Sequence, residues 1–495
     1  MRGCYRTVTQ RFCNCRFLDV AAALQLICSF RELSRKRAAY LPPSGDLDCI
    51  QMYFIPITVP IFIESGRPYL HSDWKRALGL LRDSLGGRYG ELVVGAPWLS
   101  ASSAAAGEQC IEQVSADEGI RLEPLLDARI RSRDFWLSES RAYLRRLTPF
   151  LERAHVVHTG LDDLYRPMME LAFLAAVKRG VPTVFVQDTD MVQQIRELTP
   201  AISHEQIKDA IYTSLYERTC RMSVGLADLS LLKGKALMQR YGSYAKNARE
   251  FHNTSYRASE VLASDQLERR LASLQKPRPL RLVYCGRLIA RKGLQRSLQL
   301  IERALSAGAD LEFDLIGDGP LEASLRAQIE RAGLSGRVRL LGARPYGSPL
   351  LRELAGYDAM FFTPSAEDTP RMIFDGYAAG LPTIGIDIAY VRERAEEDHA
   401  TWLLPRADSD EAVARIALLA RRRGELAQLS RAALSAGRYH AAENWYERRA
   451  EWTHAAIAAR PRRKQGKAPD AASLGTSAQG KRWHLPDGIY RGTTA

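Results

Sequence analysis

Two cations and two carboxylates carry the chemistry that can be read from this chain. Arg287 and Lys292 lie within Gly286-Arg287-Leu288-Ile289-Ala290-Arg291-Lys292-Gly293, bracketed by glycines. Glycine lets a backbone approach a ligand closely, and a helix opening near Gly293 would present unpaired N–H groups and the positive end of its dipole. That combination suits a diphosphate, whose departing oxygen gathers negative charge in a transition state. Further on, Glu367 and Asp375 stand eight residues apart in Ser365-Ala366-Glu367-Asp368-Thr369-Pro370-Arg371-Met372-Ile373-Phe374-Asp375. Thr369 as N-cap and Pro370 at the first helical position predict a helix start there. Glu367 would then sit in the loop before the helix and Asp375 inside it, next to Phe374 and the mostly small run from Gly376 to Gly380. Acids so placed could bind hydroxyls at two ends of an extended ligand. Asp368 reads as a complement to the helix dipole.

The elements that must position these residues are strands followed by loops. Leu282–Cys285, Phe313–Ile316, Val338–Leu341 and Met360–Phe362 are short apolar runs suited to buried parallel strands. After them come Gly286-Arg287, Gly317-Asp318-Gly319-Pro320, Gly342-Ala343-Arg344 and Ser365-Ala366-Glu367. Helical patterns separate the strands. In an open parallel sheet, ligands bind beyond the carboxyl ends of the strands. The expected fold class is therefore α/β, with two Rossmann-like doubly wound parallel sheets facing across a cleft. Met52–Ile63 reads as a first strand, Asp73–Leu85 as a helix and Glu91–Val94 as a strand. The segment 102–119 is loop-like. Asp134–Arg153 and Asp162–Lys178 read as helices, His155–Val157 and Pro182–Val186 as strands. A helical region over 203–222 precedes the strand Leu229–Leu232. The expected boundaries are a poorly structured extension over 1–51, a first domain over 52–265, a linker over 266–280 marked by Lys276-Pro277-Arg278-Pro279, a second domain over 281–440, a helix over 441–459 and a disordered basic tail over 460–495.

Composition bounds the alternatives. At 495 residues the chain exceeds one ordinary core, and 46% hydrophobic with 26% charged residues is a globular balance. The apolar run 17–30 is too short to cross a bilayer, contains Asp19 and Gln25, and lacks a clear small-residue cleavage site after its arginines. A cytoplasmic protein is expected. Of the formal net charge of +13, residues 1–51 carry +4 and 460–495 carry +6. The basic excess thus lies at the ends, which excludes a nucleic-acid stripe on the folded body but leaves peripheral contact with anionic membrane open. Five of the eight cysteines fall in the first 50 residues, with spacings that match no zinc module.

In combination, the residues over 280–435 resemble the donor domain of retaining GT-B glycosyltransferases of the family-4 type, also called glycosyl transferases group 1. The resemblance rests on Gly286-Arg287, Lys292-Gly293, Gly317-Asp318-Gly319-Pro320-Leu321, Gly342, and the Glu367-to-Asp375 element ending in Ala379-Gly380-Leu381-Pro382. It implies a hexosyl-type transferase that moves a sugar from a nucleotide-diphosphate donor to an acceptor hydroxyl, on a saccharide or lipid-linked acceptor, as in bacterial-type polysaccharide or glycoconjugate synthesis. It assigns Arg287 and Lys292 to the diphosphate, Glu367 to the donor sugar and Asp375 to the ribose. Gly286, Asp318, Gly319, Arg344, Thr369 and Arg371 complete the expected donor side. The family usually has Glu where this chain has Asp375, and glycines where it has Asp368-Thr369-Pro370-Arg371.

The first half resembles the family more faintly. His158, in Val156-Val157-His158-Thr159-Gly160, ends a strand where relatives often place an active-site histidine; it could equally be structural. Asp188 and Asp190 occupy the next strand end as candidates for acceptor hydroxyls, and Gly66 and Arg67 are placed near the donor phosphate. With Arg287 and Lys292 balancing the diphosphate, no metal and no cofactor is expected. Two other functions stay open: a nucleotide-sugar epimerase or hydrolase on the same fold, and a catalytically degenerate partner subunit.

Overall fold

Runs of β-branched and aromatic residues, buried on both faces, build two sheets in the computed structural model, which describes residues 51–100, 111–198, 205–406 and 409–460. The expectations for 1–50, for 461–495 and for the loop over 102–110 fall outside the described residues. In the first domain the strands are β1 (Met52–Pro56), β2 (Ile61–Glu64), β3 (Arg67–His71), β4 (Glu91–Ser100), β5 (Ile111–Gln113), β6 (Ile120–Asp127), β7 (Ala154–Gly160), β8 (Thr183–Gln187), β9 (Leu229–Lys233) and β10 (Ala248–Phe251). They run in the order β10-β9-β8-β7-β1-β4-β2-β3-β5, with β6 also on β4. The pairings are parallel except for the hairpin β2–β3 and its neighbour β5.

The second sheet contains β11 (Leu280–Cys285), β12 (Leu311–Ile316), β13 (Val338–Gly342), β14 (Ala359–Phe362), β15 (Thr383–Ile386) and β16 (Thr401–Leu404). Its order, β13-β12-β11-β14-β15-β16, is wholly parallel. This is the doubly wound arrangement in which chain direction across the sheet reverses between the first and fourth strands, and the crevice opens at that point. Here the reversal lies between β11 and β14, so the loops after Cys285 and Phe362 flank it. All four strand expectations of this half are met within two residues.

Five expectations are corrected. The segment read as loop over 102–119 carries, in its described part, the edge strand β5 paired with β3 and a 3-10 turn, Ala116–Glu118. Met52–Ile63 is two strands, because Pro56 and Pro60 cannot donate ladder hydrogen bonds; β2 re-enters the sheet against Trp98–Ser100. The segment read as a linker holds a helix, Ser264–Leu274, whose Leu267, Leu271 and Leu274 are buried in the second core at i, i+4 and i+7. The helix expected from Asp162 starts only at Met168. The helix expected at Thr369 spans Met372–Ala378, and neither Thr369 nor its flanking residues cap it through a side chain.

The final helix, Ala442–Ala458, returns to the first domain. Trp445, Tyr446, Ala450 and Ala456 enter a core with Tyr53, Val156, Leu229 and Phe251. The core of the first domain therefore depends on the end of the described chain.

Candidate functional site

Three loops of the second domain meet at the crevice because glycine allows it. Gly293, at φ 67°, opens the helix Leu294–Ser306. A Cβ on Gly293 would lie 1.8 Å from the Thr363 carbonyl oxygen, and one on Gly317 would lie 1.9 Å from that of Gly286. Any side chain at either position would force these loops apart. The loops after β11, β12 and β14 are thus pressed into one surface.

On that surface Lys292 is buried, and its Nζ donates to Asp368 at 2.5 Å, while Arg291 donates to the other oxygen at 2.8 Å. Burial lowers the Lys292 ammonium below its ordinary range, against the pull of Asp368. Burial works against the Asp368 charge too, but Lys292 and Arg291 outweigh it and hold that carboxyl down. Asp368, read from sequence as a helix-dipole complement, is instead the counter-ion of Lys292 and Arg291. Arg287 is exposed on the same loop, and its carbonyl accepts from the Tyr284 hydroxyl at 3.0 Å.

Glu367 is also buried. Its two carboxylate oxygens accept from the backbone N–H groups of Ala389 and Tyr390, at 3.0 and 2.9 Å, at the opening of the helix Ala389–Asp398. Burial raises its carboxyl, and these two N–H groups oppose the rise. Each oxygen keeps a further lone pair for a ligand hydroxyl. Asp375 lies within Met372–Ala378 and accepts from the Tyr346 hydroxyl at 2.8 Å. Burial pushes its carboxyl up to about 6, opposed by the nearby Arg371 guanidinium. Arg371 reaches the first domain, donating to Asp73 at 2.6 Å and to the Ser255 hydroxyl at 2.9 Å.

Across the seam, strand ends of the first domain meet the loop that follows Glu367. Lys233 closes β9, is 3% exposed, donates to the Thr369 carbonyl at 2.9 Å and lies 3.1 Å from Asp188. The Thr369 hydroxyl donates to the Asp188 carbonyl at 3.2 Å. His158 Nδ1 lies 2.7 Å from the Tyr53 hydroxyl. Enclosure, with Arg449 adding to it, pushes the imidazole down to about 3.

Other expected residues are engaged elsewhere. Both Asp190 oxygens accept from Arg240, at 2.5 and 2.6 Å, and one also accepts from the Gln193 N–H at 2.9 Å. Arg344 is exposed and donates to Glu353 and to the Leu341 carbonyl. Asp318, exposed at the loop tip, accepts at its carbonyl from Leu288 N–H at 2.7 Å, and its neighbour Gly319 packs on the Leu288 carbonyl. Gly66 and Arg67 do not follow the first strand directly: Gly66, with Ser65, forms the tight turn of the β2–β3 hairpin, and Arg67 begins β3.

Sequence reasoning missed Lys233, Arg449 and Asp73. Lys233 had a signal, a lone cation ending the apolar run Leu229–Leu232. Arg449 is buried, donates to the His252 carbonyl at 3.0 Å and lies 4.3 Å from the Phe251 ring centroid. Only the return of its helix to the first domain places it there, and no local pattern announces that.

Two parallel-sheet α/β domains with strand ends meeting across a seam define the GT-B class, and that is the fold of this protein. Residues 279–422 match the family described as glycosyl transferases group 1. The chain is 30% identical over 138 residues to the amylovoran biosynthesis glycosyltransferase AmsK of Erwinia amylovora, covering 26% of this chain and 33% of that protein. It is 26% identical over 214 residues to the alpha-D-kanosaminyltransferase of Streptomyces kanamyceticus, covering 42% and 52%. The chain spans about a third of the length of the first curated relatives it matches. Among solved structures it resembles Anabaena HepE in complex with UDP, at TM-score 0.55 and 16% identity, over 82% of this chain and 99% of that one. It likewise resembles WaaG, a glycosyltransferase involved in lipopolysaccharide biosynthesis, at TM-score 0.54 and 11% identity, over 81% and 98%. No helix among the described residues is long and apolar enough to cross a membrane.

Proposed function

We propose that this protein transfers a sugar from a nucleotide-diphosphate sugar to an acceptor hydroxyl, with retention at the anomeric carbon, in polysaccharide or glycoconjugate synthesis. The observation that carries this reading is the buried Lys292 at a glycine-shaped helix opening, on the loop flanking the β11/β14 reversal. The match of 279–422 to glycosyl transferases group 1 and the UDP bound by HepE support the donor class.

In this reading the diphosphate takes over part of the charge that Asp368 now balances on Lys292, and Arg287 adds a second cation from the loop edge. The bond from the anomeric carbon to the phosphate oxygen breaks, the acceptor oxygen bonds to that carbon on the same face, and the acceptor's proton passes to the departing phosphate oxygen. Stabilising the leaving phosphate and an oxocarbenium-like centre matters more here than a strong base. Glu367, anchored on the Ala389 and Tyr390 N–H groups, faces the sugar; Asp375, held by Tyr346, faces the ribose. Asp188 and His158 border the acceptor side. Closure of the seam keeps water from the reacting carbon. The cationic loop replaces a divalent ion in the transfer itself.

The test incubates the protein with a panel of radiolabelled nucleotide sugars and saccharide or lipid-linked acceptors, then reads the anomeric configuration of the product by NMR. A product with inverted configuration would overturn retention. Free sugar released without acceptor would favour a hydrolase.

One observation favours a second reading. Lys292 and Glu367 are both satisfied within the protein, so a catalytically degenerate partner subunit that binds donor without turnover is also consistent with the geometry. Nucleotide-sugar binding with no transfer to any acceptor would select it.

A further inference from the structure

Away from the glycine loops, two pairs of side chains face each other across the same seam. Glu250 and His252 are two residues apart at the end of β10, and that spacing puts both on one side of an extended chain. Glu393 and Glu397 are four apart on the helix Ala389–Asp398, a spacing that puts both on one helix face. One ligand atom from each of the four lies within 4.8 Å of the others. We propose that Glu250, His252, Glu393 and Glu397 form a binding site for a divalent cation that clamps the first domain's edge strand to the second domain.

His252 points to a ligand independently of the acids. It is 2% exposed, and its Nδ1 lies 3.0 Å from the Tyr390 hydroxyl, which fixes the ring. Nε2 is turned toward the cluster, where the nearest carboxylate oxygens, on Glu250 and Glu393, stand 3.6 and 3.9 Å away, too far for hydrogen bonds. A metal-ligating histidine is ordinarily oriented by a hydrogen bond at its other ring nitrogen, and the Tyr390 hydroxyl supplies that bond here.

Charge agrees. Among the described residues, the carboxylates of Glu250, Glu393, Glu397 and Asp398 lie within ion-pair distance of two permanent cations, Lys235 and Arg394, and of the His252 and His440 imidazoles, which burial pushes toward the neutral form. With all four carboxylates ionised, two negative charges remain, matching one divalent ion. Lys235 and Arg394 each leave lone pairs on the carboxylates they touch. Glu250 contacts no lysine or arginine within ion-pair distance among the described residues. A groove of about 850 Å³, lined in part by Glu250, His252 and Glu397, gives the ion a path from solvent. One imidazole with carboxylate oxygens suits zinc, in four-coordinate geometry at about 2.0–2.2 Å, better than magnesium, which retains water. A contraction of the cluster is needed to reach those distances.

The ion would sit on the helix whose first N–H groups hold Glu367. It would therefore stiffen the support of the site without entering the transfer reaction, and its binding can be read without donor or acceptor.

The full chain is stripped with EDTA, dialysed, and titrated with Zn2+ by calorimetry, with thermal unfolding in parallel. Glu250→Gln and His252→Gln serve as comparisons, after confirming that in EDTA each unfolds within about 2 °C of the wild type. If one of them does not, the other carries the comparison, and Glu397→Gln replaces the lost variant. The wild type should bind one equivalent more than the variants, and saturation should raise its unfolding midpoint by about 5 °C where theirs stays put. Mg2+ should bind at least tenfold more weakly. Equal Zn2+ stoichiometry and equal midpoint shifts in wild type and variants would overturn the proposal, as would no Zn2+ binding at all.

Discussion

Lys292 Nζ and Asp368 lie 2.5 Å apart, a pair formed between the loop after β11 and the loop after β14. Both groups are buried, so removing one partner leaves an uncompensated charge where water cannot reach it. Asp368→Asn should cost about 3 kcal/mol in urea denaturation without ligand. If Lys292 meets the donor diphosphate, a nucleotide sugar should then restore more stability to this variant than it adds to the wild type. Equal ligand gains in both proteins would separate Lys292 from the donor.

Asp375 yields a stability signature with a definite sign. Its carboxyl sits at about 6 in the folded protein, against about 3.9 in an unfolded chain. The native state holds this proton more tightly, so the related stability is present below pH 4 and is lost as pH rises through 6. Above pH 6 the deficit approaches about 3 kcal/mol. Asp375→Asn should therefore be more stable than the wild type at pH 8 and show no such gain at pH 4. Thermal unfolding across that range checks it, and a pH-independent difference would contradict it.

Arg371 couples the two domains to that same carboxylate. Arg371→Ala removes the hydrogen bonds to Asp73 and Ser255 and takes away the cation that opposes the rise at Asp375. The pH midpoint assigned to Asp375 should move above 6. Asp73→Asn breaks the bridge but keeps the cation and removes an acid, so the midpoint should stay or fall. The pH dependence of unfolding separates the two variants.

Much of this was legible from residues. The runs at 282–285, 313–316, 338–341 and 360–362 announced a buried parallel sheet because few other structures accept such short apolar segments between glycine turns. Hidden from sequence was what only three-dimensional closure decides. The polar strand β10, with Ala-Arg-Glu-Phe, lacks an apolar pattern and owes its place to the exposed edge of the sheet. Glu367 was identifiable as a loop carboxylate, but its partners are the N–H groups of residues 22 and 23 positions later. Asp190 looked like Asp188 in sequence; Arg240, fifty residues away, makes one a structural anchor, while Asp188 stays at the seam beside Lys233.

His158 should not titrate in the working range. Its imidazole is pushed down to about 3, so from pH 5 to 8 it is neutral, and between 6.5 and 3 its burial weakens the fold as the unfolded chain takes up a proton. His158→Gln should leave the shape of the kcat/KM profile between pH 6 and 8 unchanged, whatever it does to the magnitude. Loss of a limb near pH 6.5 would show that the histidine ionises during turnover.

The most direct measurement is the unfolding midpoint of the full chain against a panel of nucleotide sugars, compared between the wild type and Arg287→Ala. At a hundred times its dissociation constant, the true donor should stabilise the wild type by about 2.7 kcal/mol. Arg287, exposed on the β11 loop, can be replaced without disturbing the core. The shift should vanish in the variant; an undiminished shift would place the diphosphate elsewhere and contradict the assignment of this crevice as the donor site.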